Sequence, residues 1–192
     1  MKDILLPQPE KEGGITLREA LCLRRSSRSY STRQIPLQNL SNVLWAGWGF
    51  SHGGDNQLRT APSSHNRQEM ELYVFLESGT YVYDAAACLL RQVNANDLRE
   101  TTAEQEYAFK APVQVALISD TSKIKGKTPQ GVIESIYANA GFISENIYLA
   151  AAAEGLATVA RAMVPKEELH KRMGLRPEQV ITLVHTLGYF EK

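Results

Sequence analysis

"MELYVFLESGTYVYDAAACLLRQV", residues 70–93, is the stretch that decides the fold class. Leu72–Leu76 and Tyr81–Asp84 are rich in aromatic and β-branched residues, the types that pack well on a pleated surface. Ser78-Gly79 stands between them as a turn, so the pattern predicts a β-hairpin. A hairpin in mid-chain argues for an α+β fold and against a regularly alternating βαβ sheet.

Further strands are expected at "APVQVALISD", 111–120, and "QVITLVHTLGY", 179–189, with "LATVARAMV", 156–164, a short strand or loop. Helices are expected on both sides of the hairpin. "TLREALCLRR" opens with a capping box, Thr16 at the N-cap and Glu19 three residues on, and Leu17, Ala20 and Leu21 fall on one face. In "PLQNLSNVLWAGWGF", 36–50, Leu37, Leu40, Val43 and Leu44 should point inward. "NANDLRETTAEQEYAFK", 94–110, reads as a helix after an Asn or Asp cap. The longest helix covers residues 130–154, is rich in small side chains and stops at Gly155. "PKEELHKRM" is a helix with proline at its first turn. Residues 1–14 read as an extended arm ending at Gly13-Gly14, and residues 51–68 as a long polar loop of the kind that often carries function.

The 192 residues suit one domain, 1–192, long enough to bury a core without staples. Lys+Arg and Asp+Glu balance at 21 each, whereas a nucleic-acid or membrane-surface protein would show a basic excess. No apolar run reaches the roughly 20 residues of a membrane span, and the N-terminus lacks a signal-peptide core, so a cytoplasmic enzyme is expected. Cys22 and Cys88, both flanked by apolar residues, read as buried thiols. GxGxxG, GxxxxGK[ST], GxSxG and HExxH are all missing, and the four histidines are scattered without metal-ligand spacing. His185, in the apolar last strand, reads as a satisfied core histidine, and His65 as a surface one.

Three stretches carry chemistry. "RRSSRSY" sets Arg24, Arg25, Ser26 and Arg28 at the end of the first helix. Cations there complement the helix dipole for about 0.3–1 kcal/mol each, which accounts for one or two arginines but not a third among hydroxyls. Forked guanidinium donors with serine hydroxyls match a phosphate monoester, with its charge of about −1.5 to −2. In "APSSHNRQ", Ser63, Ser64 and Asn66 could present amides and hydroxyls to a ring or a polyol, or form a solvated turn after Pro62. Arg161 stands in an apolar strand-like segment, where a buried arginine needs an anionic or electron-rich partner unless it snorkels or pairs with a glutamate.

In this order and spacing, "RRSSRSY", "APSSHNRQ" and "AAAAEGLATV" resemble the FMN-dependent nitroreductase family. "GTYVYDAAACLLRQV" points to its small stand-alone members in the branch that includes thiazoline-oxidising dehydrogenases, and "VLWAGWGF" and "NAGFISENIYLAAAAEGLATV" agree. The resemblance covers residues 14–189. It implies an α+β sandwich, a mixed and mainly antiparallel sheet flanked by helices, in an intertwined homodimer with two FMN sites at the interface. Arg24, Arg25, Ser26 and Arg28 then match the phosphate and ribityl grip. Pro62, Ser63, Ser64 and Asn66 match the loop that a partner subunit brings over the flavin. Ala160, Arg161 and Ala162 match the stretch along the flavin N5 edge, and helix 130–154 would be the central dimer helix. Chemistry borne by the flavin needs no dedicated acid or base side chain. The implied activity is reduction of small electrophiles such as nitroaromatics or quinones with NAD(P)H. Dehydrogenation of azoline-like rings and a non-catalytic flavin-binding role are the alternatives. Of the basic pair common in the tails of that family, only Lys192 follows "LGYFE".

Overall fold

The computed structural model describes residues 2–51 and 57–191. In it the hairpin is β3 (Met70–Leu76) with β4 (Gly79–Asp84), paired antiparallel from Tyr73↔Val82 to Leu76↔Gly79. The connection is therefore Glu77-Ser78, one residue earlier than Ser78-Gly79. Gly79 has φ +137°, and a Cβ there would lie 2.5 Å from the Asn94 carbonyl oxygen, so the position admits only glycine. The meander continues into a third strand, β5 (Leu89–Asn94), which was not anticipated because "LLRQVN" alternates only weakly. Beyond β5 lies β1 (Ile4–Leu5), where the N-terminal arm joins the sheet.

On the other side β3 pairs with β6 (Val113–Asp120), and β6 with the 12-residue β8 (Gln179–Phe190). The far edge of β8 is shared by β7 (Ala157–Arg161) and the two-residue β2 (Tyr30–Ser31). The order is β1-β5-β4-β3-β6-β8-β2, with β7 also on β8, and each of these pairings is antiparallel.

Helices cover both faces. Leu40, Val43 and Leu44 of α2 (Leu37–Trp48) and Ala140, Ile143 and Ile147 of α3 (Pro129–Ala153) pack on Leu72, Val74, Val115 and Leu117. Leu169 and Met173 of α4 (Lys166–Met173), with Leu98, pack on Tyr73, Phe75, Ala116 and Ile118. Alternation along β6 thus feeds two cores, which is why every one of its residues is buried. Burying each such Leu, Ile or Val stabilises by about 1.5–3 kcal/mol. The arrangement is the expected α+β sandwich.

Local signals decide the helix ends. Thr16 and Glu19 form the capping box of α1 (Leu17–Leu23). Thr128 caps α3, with Pro129 in its first turn. Past α3, Gly155 (φ +66°) donates to the Ala152 carbonyl and Leu156 to that of Ala151, closing a Schellman motif.

Other expectations need correction. Segment 94–110 is not a helix but two short 3₁₀ turns, Glu100–Thr102 and Glu106–Lys110, because its apolar residues lack a 3.6-residue period. Leu37 is exposed at the first turn of α2, where the helix has not yet reached the core. On α1 only Ala20 is buried; Leu17 and Leu21 are 66% and 53% exposed, since α1 lies on the flank of α3 rather than over the sheet. Cys22, on the same helix, is likewise exposed, and only Cys88 is a buried thiol.

Candidate functional site

Arg24 is the C-cap of α1, its amide donating to the Ala20 carbonyl before the chain turns to an extended conformation. From there the segment runs beside β7. Ser26 and Thr158 form a parallel bridge, and the Ser27 amide donates to the Thr158 carbonyl at 2.9 Å. The Tyr30 hydroxyl donates to the Ser27 carbonyl, fixing the turn. The Arg24 guanidinium lies 5.4 Å from the Tyr148 ring centroid and that of Arg25 4.6 Å from Phe190. Among the described residues, no carboxylate lies within ion-pair distance of Arg24, Arg25 or Arg28. Arg24, Arg25, Tyr148, Thr158, Phe190 and Cys22 line a cavity of about 400 Å³. One acid stands nearby: Glu191, at the end of β8, accepts from Ser29 Oγ at 2.6 Å and faces Lys110 Nζ at 3.7 Å. The Ser29 hydroxyl and then the Lys110 charge hold its carboxyl below the usual range. Lys192 lies outside the described residues.

Tyr148, which the sequence reading missed, joins two of the three stretches. Its hydroxyl accepts the Ala160 amide at 2.8 Å and lies 2.9 Å from Ser26 Oγ. Its ring stands edge-on to His185 at 5.1 Å between centroids. The available signal was a lone phenol in the small-residue half of a long helix.

On β7, Ala160 is half-buried and Arg161 is 5% exposed, and just past the strand Ala162 faces solvent. Arg161 neither snorkels nor pairs with a glutamate. Its Nε donates to Thr186 Oγ1 (2.9 Å), Nη1 to the Thr102 carbonyl (2.8 Å) and Nη2 to Gln114 Oε1 (2.9 Å), all neutral acceptors. Burial lowers its pKa, opposed by Tyr107 and Tyr30. Behind it, fully buried His185 lies between Ser144 Oγ at 2.8 Å and Thr158 Oγ1 at 3.0 Å. Burial, then the Arg161 charge, pushes its pKa down to about 3, so it is the neutral core histidine expected.

The stretch Pro62–Gln68 is a tight, self-bonded loop. Ser63 Oγ accepts the Gln68 amide at 3.0 Å, Asn66 Oδ1 accepts from Gln68 Nε2 at 3.2 Å, and Arg67 Nη1 donates to Ser64 Oγ at 3.2 Å. Exposed His65 approaches Ser64 Oγ through Nδ1 at 3.1 Å. His65, Asn66 and Gln68 all have left-handed φ values of 49–57°, a conformation that costs non-glycine residues and clusters at ligand-binding sites. Arg59 anchors the approach to the loop, its guanidinium 5.1 Å from the Trp48 ring and 3.9 Å from that of Phe50. Gly53 and Gly54 of the polar loop 51–68 lie outside the described residues.

Pro62, Ser63 and Ser64 line a second cavity, about 720 Å³, with Ser135, Asn139 and Phe142 of α3. The arginine cavity uses Tyr148 and Ala152 of the same helix. From Asn139 to Tyr148 is about 14 Å along the axis. Within one chain, therefore, the structure gathers Arg24, Arg25 and Ser26 with Ala160 but leaves the Pro62–Asn66 loop in a separate cavity.

Known proteins agree with this architecture. A protein of Ralstonia eutropha JMP134 whose name calls it a nitroreductase superposes with a TM-score of 0.92 at 31% identity, over 100% of this chain and 91% of that one. A Methanocaldococcus jannaschii protein named in the same way is 25% identical over 167 residues, 82% of each chain. A Staphylococcus epidermidis ATCC 12228 protein bearing the name NAD(P)H:FMN oxidoreductase shares the fold, with a TM-score of 0.70 at 14% identity over 96% of this chain and 92% of that one. The sequence model of the Nitroreductase family matches residues 23–189, nearly the whole of the fold just described, and the chain belongs to that family.

Proposed function

We propose that this protein is an FMN-dependent oxidoreductase that takes hydride from NAD(P)H and passes it to small electrophiles such as nitroaromatics or quinones. The observation that carries the reading is a cavity lined by Arg24 and Arg25, neither matched by a carboxylate among the described residues, on the flank of β7. Unpaired guanidinium groups held over aromatic rings are suited to a phosphate ester, for which they supply forked donors. Arg28, exposed on the same segment, adds charge, and Ser26 adds a hydroxyl.

FMN, when bound, supplies the two-electron chemistry, and the protein supplies binding, orientation and electrostatics. Arg161 keeps a fixed positive charge behind β7, favouring negative charge on a ligand lying along that strand. Ala160 gives its amide to Tyr148, and Ala162, exposed just past the end of β7, offers its backbone to a ligand there.

The second half of the site comes from a partner copy. The loop Pro62–Asn66 does not share a cavity with the arginines within one chain, and exposed apolar side chains stand on both α3 (Ile133, Tyr137, Phe142) and α1 (Leu17, Leu21). Such an apolar surface suits an obligate homodimer in which each loop covers the other chain's flavin.

The test is flavin loading followed by anaerobic addition of NADH or NADPH. Loss of the visible flavin band, and its return on adding a nitroaromatic or a quinone, is the expected result. A loaded protein that neither nucleotide bleaches would overturn the reductase reading, and a protein that retains no FMN would overturn the cofactor.

A further inference from the structure

We infer that Tyr148 is a positioning residue that turns the Ser26 hydroxyl into an outward-facing proton donor for the ligand phosphate. The inference rests on the flavin reading above, and its argument is the direction of a short chain of hydrogen bonds.

The Ala160 amide can only donate, and it donates to the Tyr148 hydroxyl oxygen at 2.8 Å. The phenol keeps one proton of its own. Among the described residues its other polar neighbour is Ser26 Oγ, at 2.9 Å, a distance at which either hydroxyl can donate, and we assign the phenol proton to Ser26 because the phenol oxygen already accepts from Ala160. Ser26 Oγ is then an acceptor on the protein side. Its own proton is left for whatever lies in front of it, and Ser26 is exposed, beside the arginine-lined cavity.

The direction Ala160 N–H to Tyr148 O–H to Ser26 O–H therefore ends in a donor. Hydrogen bonds in series polarise one another in one sense, which strengthens the terminal donor toward an anion. The surroundings hold the phenol in place. The Arg24 guanidinium lies over one face of its ring, buried His185 stands against it, and the Ser26–Thr158 bridge keeps Ser26 within reach. Ser26 alone would be a rotor free to accept or donate. Wired to Tyr148 it favours an anionic oxygen over a neutral hydroxyl, and so favours a phosphorylated flavin over the unphosphorylated one.

The experiment is the ratio of FMN to riboflavin affinity, from flavin fluorescence quenching, for the unaltered protein and the variants Y148F, S26A and the double variant. In Y148F the FMN affinity should fall about tenfold while riboflavin affinity changes less than about twofold. S26A should do the same, and the double variant should be no worse than the weaker single one, because both break one chain. A tyrosine that merely fills space would weaken both flavins alike. An unchanged ratio in Y148F, or losses that multiply in the double variant, overturns the proposal. Should Y148F not fold, the ratio in S26A against Ser26→Thr, which keeps the hydroxyl, decides: equal losses overturn the proposal, and rescue by threonine supports it. An unaltered protein that binds neither flavin overturns the flavin reading and this inference together, whereas binding with an unmoved ratio overturns only the inference.

Discussion

Arg161 and Gln114 are joined across the sheet by a bond of 2.9 Å from Nη2 to Oε1, the guanidinium charge resting on an amide rather than a carboxylate. Gln114 is fixed in turn by donating to the Ala108 carbonyl at 2.7 Å, so a single network ties β7, β6 and the Glu106–Lys110 turn. Lysine cannot reproduce a three-way fork. Arg161→Lys should leave buried acceptors unsatisfied at about 1–3 kcal/mol each. We expect a lower urea midpoint with an unchanged slope; an unchanged midpoint would show that the fork contributes nothing.

His185 sets an acid limit. Its pKa is near 3 in the folded protein against 6.5 for the free side chain. Between those values the unfolded chain binds the extra proton, so stability present above about pH 6.5 declines as pH falls toward 3. The slope is up to about 1.4 kcal/mol per pH unit. Urea unfolding at neutral pH and at about pH 5 should show the loss, and His185→Gln should flatten that limb.

Asn139 holds a buried acid. Its Nδ2 donates to Glu69 Oε1 at 2.5 Å, Glu69 is 1% exposed, and Glu69 Oε2 has no partner among the described residues. Asn139→Ala would leave Glu69 Oε1 without its donor as well, a loss of about 1–3 kcal/mol, the range for a buried polar group left unsatisfied. Because Glu69 follows directly on Gln68, hydrogen exchange in residues 62–68 should accelerate in the same variant. Protection equal to that of the unaltered protein would show the loop to be held independently.

The apolar flank should not tolerate charge. Leu21→Glu and Phe142→Glu, at positions already exposed in the single chain, should leave its core intact. If two copies meet there, light scattering will show dissociation and flavin retention will fall with it. Unchanged mass and retention in both variants would place the interface elsewhere.

The hairpin, β6, β8, the α1 capping box and the C-terminal end of α3 were legible because each rests on local chemistry: alternation, a Thr/Glu pair, or a glycine in left-handed geometry. The exposure of Leu17, Leu21 and Leu37 was not, since a helical stripe announces an apolar face without saying whether sheet, solvent or another chain covers it. The strand β2 was hidden because Tyr30 and Ser31 pair only with Phe190 and Tyr189, far away in sequence. In the site, Arg24, Arg25 and Ser26 were legible as charge and hydroxyls in unusual density. Tyr148 was not, for its role depends on an Ala160 amide whose direction is a property of sheet pairing.

The N-terminal arm has a bearing on how cleanly this chain stays in solution. Ile4 and Leu5 cap β5, the Leu6 amide donates to the Cys88 carbonyl, and Ser41 Oγ holds the Pro7 carbonyl. Without those residues β5 would present an open row of backbone groups with Val93 exposed beside it, a template on which another molecule's strand could grow. Residues 2–8 thus act as a guard against aggregation, and removing them should cost solubility before it costs any property of the proposed flavin site.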